Sequence, residues 1–459
     1  MSCSSKAKSL GIRVVEEQGN IHTSCAMELL CCLLSKPKYL HFSFPELASL
    51  AQLEGVSLSQ LLSKYTDEVP DRSSEAIKAH FAEKCKSNPA LYVHLPSPAS
   101  ALRLLARSVC IDKFIQVFSS GPNIDSLISQ LQSTPNPEFT SDISDPENSF
   151  AFYVDYFKDS VAYEDQLRIF DRFEPLQFAG RVNPANPKLR FWVIRDLNGT
   201  FYFGKEAAKS KERTRFYSKY SLNHREYLGP TSTDNELAFL MVNEGLVQAG
   251  SLVLDPFVGT GSVLVAASHF GALCFGSDID MRVLKGFSVG RSRKHTQADI
   301  FTNFRNYGLA LPEILRIDSS KPSWKQLPVF DAIVCDPPYG VRARSRTAGT
   351  KTGDLTYVPD SNQYEGRQLV ADLLKMAAGL LRVGGRLVFL LPTDRASYCR
   401  EMLPVHPYLQ LLSNSENVLS RKISRRLLTY ERLAEPQMTC APGKDFYSGL
   451  RKLWFEPSS

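Results

Sequence analysis

Residues 330–340 read "FDAIVCDPPYG", an apolar run that ends at an acid, two prolines and an aromatic ring. A planar ring with an exocyclic amino group would suit these residue types, because the Asp336 carboxylate and the Pro337 carbonyl can each accept one of its two N–H bonds. The lone pair of that nitrogen would then point at a methyl donor. Pro338 stiffens the turn, and Tyr339 offers a face for stacking worth about 1–3 kcal/mol. The pattern predicts methylation of a ring amine.

A glycine-bearing turn upstream could bind that donor. "DPFVGTG", residues 255–261, follows a short apolar strand and precedes a helical segment, and "GSDID" ends the next predicted strand. Gly259 and Gly261 would let the backbone approach a ligand, and Asp278, with Asp280 as second choice, could accept both ribose hydroxyls. Because the spacing is not G-x-G-x-x-G, a dinucleotide is disfavoured, and S-adenosylmethionine, which has a ribose but no pyrophosphate, fits better.

Each motif also has a structural alternative. The glycines could serve only a tight strand-to-helix turn, and D-P-P could simply cap a core strand, with Tyr339 packing. Cytosine-C5 methylation is disfavoured, because it needs a nucleophilic cysteine directly after the proline, whereas Cys335 precedes Asp336. We interpret Cys335 as a core residue. A base inside a helical stack is out of reach, so a target in a nucleic acid would have to be flipped out.

These motifs need an α/β domain to position them. The apolar run 331–335 predicts a central strand of a parallel sheet, with Asp336 at its carboxyl end, where open α/β sheets bind ligands. Asp318 ends another predicted strand. Helices and apolar strands alternate from Thr231 onward, which indicates an α/β fold. We therefore place the main domain boundary at about Tyr217.

The sequence before that boundary predicts a small α+β region. "KYLHFSF" alternates like a strand, Pro45 begins a helical pattern, and residues 90–121 read strand, helix, strand. Residues 133–149 are polar and contain several prolines, so we expect a loop or linker there. "RFWVIRD" and "GTFYFGK" predict a hairpin with the turn "DLNG". Residues 1–38 are expected to be an N-terminal extension and are a candidate for disorder.

Composition limits the class of protein. The 459 residues have a net charge of +6, with 43% hydrophobic and 22% charged residues, as in soluble globular proteins of two or three domains. The 10 cysteines include no C-x-x-C and the 8 histidines no H-x-x-x-H, so we expect neither a metal site nor a disulfide framework. The apolar run 25–34 is too short to span a bilayer. We expect a cytoplasmic protein without a membrane partner.

Several motifs resemble a known family. "DPFVGTG", "GSDID" and "DPPYG" are motifs of class I amino-methyltransferases, in the order that many such enzymes have. More narrowly, residues 225–245, "SSKPSW", "DPPYGVR", "GGRLVFLLP" and "SRRLLTYE" are similar to the catalytic subunit of eukaryotic tRNA (guanine-10-N2) methyltransferases. The resemblance covers most of residues 217–433, and more weakly "FPELASL" and "FYFGK". It implies a ferredoxin-like and THUMP tRNA-binding region in 39–216, a Rossmann-like class I methyltransferase domain in 217–440 and a C-terminal tail in 441–459.

The resemblance also implies a cofactor and partners. S-adenosylmethionine would be the methyl donor, tRNA the substrate, and a small zinc-binding activator the second subunit of a heterodimer. The activator would add a strand at the sheet edge near "EILRID". The residues that the resemblance marks as catalytic are Asp336, Pro337, Pro338 and Tyr339. Those it marks as cofactor-binding are Thr231, Asp234, Asp255, Phe257, Gly259, Gly261, Asp278 and Asp318.

Within that cofactor set, the resemblance places three residues more closely. Asp318 would meet the adenine amino group, and Thr231 and Asp234 would line the methionine end. The residues "TDNE" also form a capping box that starts at Thr233, so a helix cap is the structural alternative there.

Basic residues supply candidates for contacts to tRNA phosphates. One cluster follows the D-P-P-Y motif with no acid in it, and a second lies in "SRKISRR". Members of the family often have arginine after "YFG", where this chain has a lysine, which keeps a point charge but loses bidentate contact to phosphate. A solvated face is the alternative for each cluster. The candidates are Lys205, Arg342, Arg344, Arg346, Arg425 and Arg426.

We therefore predict the catalytic subunit of a methyltransferase that modifies the N2 amino group of guanosine 10 in tRNA. Two alternatives stay open at this point. An adenine-N6 methyltransferase acting on DNA or RNA would have the same bare motifs, although the N-terminal tRNA-type region argues against it. A non-catalytic tRNA-binding protein with a relic fold is disfavoured by the intact Asp336, Gly259, Gly261 and Asp278.

Overall fold

The chain forms two compact units, divided between Phe216 and Tyr217. A computed structural model describes residues 27–34, 38, 40–69, 71, 73–210, 216–229, 232–286, 291–292, 298–321, 324–338, 346–348, 361–363 and 366–437. Across these ranges, no helix has both the length and the hydropathy needed to cross a bilayer.

The first unit is built on one six-stranded sheet. Its strands follow the order β2-β1-β3-β6-β5-β4, in which only β4 and β5 pair in parallel. The strands are β1 (Met27–Leu33), β2 (Ala90–Leu95), β3 (Ile111–Gly121), β4 (Phe150–Asp155), β5 (Leu189–Arg195) and β6 (Phe201–Lys209). The helices are Ser43–Leu53, Leu58–Leu61, Ser74–Ser87, Pro98–Arg107, Ile124–Ser133, Pro137–Ser144 and Tyr163–Asp171, with 3-10 turns at Ser63–Tyr65 and Glu174–Leu176.

The central strand β1 differs from the sequence-based expectation, which assigned residues 1–38 to an extension. Leu29 and Cys31 pack with the helices on one face of the sheet, and Leu30 and Cys32 are buried on the other face. A strand that is buried on both faces has no polar alternation, so its sequence does not look like that of a surface strand. The boundary of the extension at residue 38 is therefore too late.

Two other local predictions in this unit are wrong, whereas the predicted hairpin and the strand, helix, strand run are confirmed. "KYLHFSF" is not a strand, because a helix begins at Ser43 within it. The predicted loop 133–149 contains the helix Pro137–Ser144, which Asn136 caps and Pro137 opens in its first turn. The predicted hairpin is present as β5 and β6, which pair antiparallel on either side of the "DLNG" turn.

The second unit contains a seven-stranded sheet with helices between its strands. Its helices are Asn235–Glu244, Ser262–His269, Met281–Lys285, Ile300–Tyr307 and Gly366–Leu380, with 3-10 turns at Phe216–Tyr220 and Arg400–Met402. The short strands β7 (Tyr227–Leu228) and β10 (Arg291–Ser292) pair with each other, as do β13 (Arg346–Ala348) and β14 (Ser361–Gln363). The main strands are β8 (Leu252–Asp255), β9 (Leu273–Asp278), β11 (Glu313–Arg316), β12 (Phe330–Cys335), β15 (Leu381–Asp394), β16 (Leu409–Val418) and β17 (Ile423–Arg432).

The strand order of the large sheet is β11-β9-β8-β12-β15-β17-β16. The pairs from β11 to β15 are parallel, and β17 runs antiparallel to both of its neighbours. The chain goes outward from β8 to β11 on one side and then returns to β12 on the other, so the order reverses between β8 and β12. Such a switch point is where doubly wound sheets bind ligands, at the carboxyl ends of the strands. The predicted α/β domain is confirmed.

Candidate functional site

The turn after β8 provides an open backbone at the switch point. Gly259 and Gly261 have φ angles of +50° and +83°, and Gly261 caps the helix Ser262–His269. At Gly261 a Cβ would lie 3.1 Å from the Phe304 ring, so a side chain there would meet both conformational strain and a packed neighbour. The glycine is needed for the turn, and it begins the helix without a side-chain cap for the first N–H groups.

Asp255 ends β8 and is buried at the base of this turn. Its Oδ1 accepts a hydrogen bond from the Phe257 N–H at 3.0 Å. Burial raises the pKa of Asp255 well above its usual range, and the nearby carboxylates of Asp278 and Asp336 raise it further. The Phe257 side chain is only half-buried and packs against the core around β12. Asp255 therefore stabilises the backbone of the turn through its hydrogen bond with the Phe257 N–H.

Asp278 ends β9 and is joined to the glycine turn. Its Oδ2 accepts from the Gly259 N–H at 3.0 Å, and its Oδ1 accepts from the Asp280 N–H at 2.9 Å. The Asp280 carboxylate instead pairs with Arg282 at 2.6 Å and caps the short helix that follows. The structure thus brings Asp278, the preferred acid of the sequence analysis, to the turn and gives Asp280 another role. Burial raises the pKa of Asp278.

Asp318 lies in the loop after β11, which is close to the same turn. Its Oδ1 accepts from the Ser320 N–H at 3.0 Å and from the Ser320 hydroxyl at 2.6 Å. The neighbouring Ser319 hydroxyl donates to the Pro256 carbonyl at 3.0 Å, which ties this loop to the turn after β8. The acids that end β8 and β9 and the acid that follows β11 therefore lie along one edge of the sheet.

Asp336 follows β12 on the other side of the switch point. Its Oδ2 accepts from the Thr233 hydroxyl at 3.1 Å and from Arg425 Nη1 at 3.2 Å. Burial raises the pKa of Asp336, while the Arg425 guanidinium and the Thr233 hydroxyl act in the opposite direction. Pro337 is buried and Pro338 half-buried, and Tyr339 lies outside the described residues.

Cys335 is a core residue, as the sequence analysis interpreted it. Its side chain is fully buried within β12, and burial raises the pKa of its thiol well above the usual range. A protonated, buried thiol is a poor nucleophile. The chemistry of this strand end therefore belongs to Asp336.

The segment before the helix Asn235–Glu244 differs from its predicted arrangement. Asp234, not Thr233, is the N-cap, and its carboxylate accepts from the N–H groups of Glu236 and Leu237. Thr233 is therefore free of the predicted capping role, and it donates to Asp336 instead. The cap accounts for Asp234 without a cofactor, so its assignment to the methionine end stays a prediction. Thr231 lies outside the described residues.

Lys205 was predicted to contact tRNA phosphates, and the structure does not support that role. Its Nζ lies 2.7 Å from Glu138 Oε1 and 2.8 Å from Asp142 Oδ2, and the side chain is only 19% exposed. Both acids belong to the helix Pro137–Ser144, which the sequence analysis read as a loop. The lysine charge is thus compensated within the first unit.

Replacing Lys205 with methionine is expected to destabilise the first unit without affecting RNA binding. Loss of two partly exposed ion pairs should lower the free energy of unfolding by about 1 kcal/mol, measured by denaturant titration of the full chain. The salt dependence of tRNA affinity should match that of the unmodified protein, because the lysine charge is already paired. A flatter salt dependence would restore Lys205 to the RNA-binding surface.

The two candidate arginines of the second basic cluster, Arg425 and Arg426, contact protein groups. Arg425 pairs with Asp336, whereas the Arg426 guanidinium lies 3.8 Å from the centre of the Tyr398 ring and 3.9 Å from Glu416 Oε1. In the first cluster, Arg342 and Arg344 lie outside the described residues. Only the backbone of Arg346 is described, as the start of β13.

Two contacts to Asp336 are not predicted from the sequence. Thr233 is 103 positions from Asp336 along the chain, and Arg425 is 89 positions from it. The sequence analysis considered the first residue as a helix cap and the second as a phosphate contact. No local pattern signals either contact, because both depend on the strand order of the sheet.

Comparisons with known proteins divide the chain at a similar place. The family model described as "Tmrp11 THUMP N-terminal domain" matches residues 72–214. The model described as "RMKL-like, methyltransferase domain" matches residues 223–353, which include the glycine turn and Asp336.

Curated relatives match nearly the whole chain. The tRNA (guanine(10)-N(2))-methyltransferase TRMT11 of Gallus gallus is 32% identical over 429 residues, covering 88% of this chain and 88% of that protein. The protein of the same name from Homo sapiens is 31% identical over 463 residues, covering 95% and 93%. Among solved structures, TrmN from Thermus thermophilus is 18% identical with a TM-score of 0.40, and the match covers 88% of this chain and 100% of that one.

Proposed function

Since the chain belongs to the tRNA (guanine(10)-N(2))-methyltransferase family, we propose that it transfers a methyl group from S-adenosylmethionine to the N2 amino group of guanosine 10 in tRNA. The observation that carries this proposal is the position of Asp336. It stands at the carboxyl end of β12, across the switch point from the glycine turn and Asp278. An acceptor for an amine and a candidate cofactor-binding turn thus lie at one edge of the sheet, on the two sides of the switch point.

The residues on the β8 side of the switch point fit S-adenosylmethionine. A carboxylate has acceptor positions for several donors, so Asp278 can accept ribose hydroxyls while it remains bonded to the Gly259 N–H. Asp318 would accept from the adenine amino group, and the open backbone at Gly259 and Gly261 allows close approach. When bound, S-adenosylmethionine supplies an electrophilic methyl group.

On the β12 side, Asp336 would act on the amine of guanine. Its carboxylate and the Pro337 carbonyl each accept one N–H bond, which directs the nitrogen lone pair away from the ring. Asp336 would also take the proton that the nitrogen loses after methylation. Because burial raises the pKa of Asp336, turnover should fall as the pH drops through that raised value, where the carboxylate becomes protonated.

The first unit and the arginine-rich segment after Asp336 would hold the tRNA. The match of residues 72–214 to a THUMP model supports an RNA-binding role for the first unit. Arg342, Arg344 and Arg346 follow Asp336 closely in sequence. We therefore expect them to contact phosphates near a flipped guanosine. The cytoplasmic location expected from the sequence stays a prediction.

Replacing Arg342, Arg344 and Arg346 together with alanine should weaken tRNA binding and flatten its salt dependence. Each lost phosphate contact removes roughly 0.7–0.9 from the slope of log K against log salt concentration. The measurement is tRNA affinity across a salt series, with Lys205→Met as the matched control that removes one cation already paired with acids. An unchanged slope in the triple variant would mean that these arginines form a solvated face.

The small zinc-binding activator would bind at the exposed edge of the large sheet. In the described part of this sheet, β11 pairs only with β9, so its other edge offers backbone groups to an added strand. Leu311, Leu315 and Leu273 near this edge are 52%, 46% and 55% exposed. These apolar side chains support an interface with a second subunit.

The proposed function is tested by labelled methyl transfer to two matched tRNAs. The full chain, co-produced with the activator, is incubated with labelled S-adenosylmethionine and undermethylated tRNA that has either guanosine or adenosine at position 10. We expect incorporation only with guanosine. Equal incorporation into both would contradict the assigned position, and S-adenosylmethionine that fails to bind in calorimetry would favour a relic fold.

A further inference from the structure

Arg425 and Asp336 come from strands that are not neighbours in the large sheet. Asp336 follows β12, Arg425 lies near the start of β17, and β15 separates the two strands. The register pairs Arg425 with Pro392 of β15, close to the carboxyl end of that strand. The arginine therefore reaches across one strand to Asp336, with 3.2 Å between Nη1 and Oδ2.

We propose that Arg425 is a positioning residue for Asp336 and not a contact to tRNA phosphates. The proposal rests on the proposed function, in which the Asp336 carboxylate receives the guanine amine. Arg425 and Thr233 both donate to the same oxygen, Oδ2. This fixes the plane of the carboxylate and leaves Oδ1 to accept the amine N–H, so the geometry of attack is set before the substrate arrives.

Arg425 also affects the protonation of Asp336, because it is a positive charge next to this carboxyl group. Asp255, at the end of β8, is a buried acid whose pKa the Asp336 carboxylate helps to raise, and Cys335 is a buried thiol. Thr233 is neutral, so Arg425 supplies the positive charge among the described groups that act on Asp336. Burial disfavours ionisation of Asp336, and the arginine opposes this effect.

Arg426 offers a matched control one position along β17. Successive side chains of a strand point to opposite faces, and Arg426 accordingly meets Tyr398 and Glu416 while Arg425 meets Asp336. Arg425→Gln and Arg426→Gln each remove one positive charge from the same strand. Only the first removes the contact to Asp336.

The test is the pH dependence of methyl transfer under single-turnover conditions, using the full chain with its activator. Arg425→Gln should move the acidic limb of the rate profile to higher pH by about one unit or more, since an opposite charge at this distance lowers a carboxyl pKa by about 1–3 units. Thr233→Val should move the limb in the same direction by less. Arg426→Gln should leave the limb in place, whatever it does to tRNA affinity.

The opposite pattern would overturn the proposal. If Arg425→Gln weakens tRNA binding and flattens its salt dependence, while the limb and the maximal rate stay unchanged, Arg425 is a phosphate contact. If Arg425→Gln does not fold, the test uses Thr233→Val. An acidic limb that stays at the same pH in Thr233→Val would count against the proposal that donors to Oδ2 position Asp336. A failure of the proposed function itself would look different, because the unmodified protein would make no N2-methylguanosine or Asp336→Asn would retain the full rate.

Discussion

Replacing Asp336 with alanine is expected to reduce methyl transfer by about 10³-fold or more, because a preorganised acceptor at the reacting amine is removed. The affinity for tRNA should stay within a few-fold of that of the unmodified protein, since the guanine amine contributes one contact among many phosphate contacts. The measurements are the single-turnover rate and the dissociation constant of tRNA, each on the full chain with its activator.

A second substitution at the same position separates charge from shape. Asp336→Asn keeps an oxygen acceptor but cannot take a proton, so its rate should lie between those of the alanine variant and the unmodified protein. If Asp336→Ala lowers the affinity for tRNA by the same factor as the rate, the residue stabilises the fold or binds the RNA. It would then have no specific role in the methyl-transfer step.

Replacing Asp278 with alanine is expected to weaken S-adenosylmethionine binding by about 100-fold, because hydrogen bonds to a charged group are worth about 1.5–3 kcal/mol each. The glycine turn would also lose the bond from the Gly259 N–H to the carboxylate. The measurement is calorimetry of the full chain with S-adenosylmethionine. Because burial raises the pKa of Asp278, the affinity of the unmodified protein should fall as the pH drops through that raised value.

Asp280 is the matched control for this prediction. It lies two residues further on, but its carboxylate pairs with Arg282 and caps the helix Met281–Lys285. Asp280→Asn should therefore change the affinity for S-adenosylmethionine little. The reverse result would contradict the prediction. If Asp278→Ala binds S-adenosylmethionine tightly and Asp280→Asn binds it weakly, the ribose contact belongs to Asp280.

The parts of the site that the sequence revealed are those in which a motif follows a strand. Asp336 follows a run of apolar residues that are buried in β12, and Asp278 ends a strand that comes directly after a glycine turn and helix. The carboxyl ends of parallel strands meet at one sheet edge, so these residues could be placed together without a structure.

The parts that the sequence did not reveal depend on contacts between distant segments. Arg425 meets Asp336 only because β17 inserts beside β15, a pairing that no local pattern encodes. The helix Pro137–Ser144 is polar enough to resemble a loop, although Asn136 and Pro137 are ordinary signals of a helix start. Because this helix was predicted to be a loop, its two acids were not expected to neutralise Lys205. Those ion pairs are the reason to expect that this lysine makes no RNA contact.

The most direct test of the central claim is the identity of the methylated nucleoside. Undermethylated tRNA is treated with the full chain and its activator, digested to nucleosides and analysed by mass spectrometry, with Asp336→Asn in parallel. The account predicts N2-methylguanosine in the first sample and a large reduction in the second. N6-methyladenosine as the product, or N2-methylguanosine that forms equally well with Asp336→Asn, would contradict it.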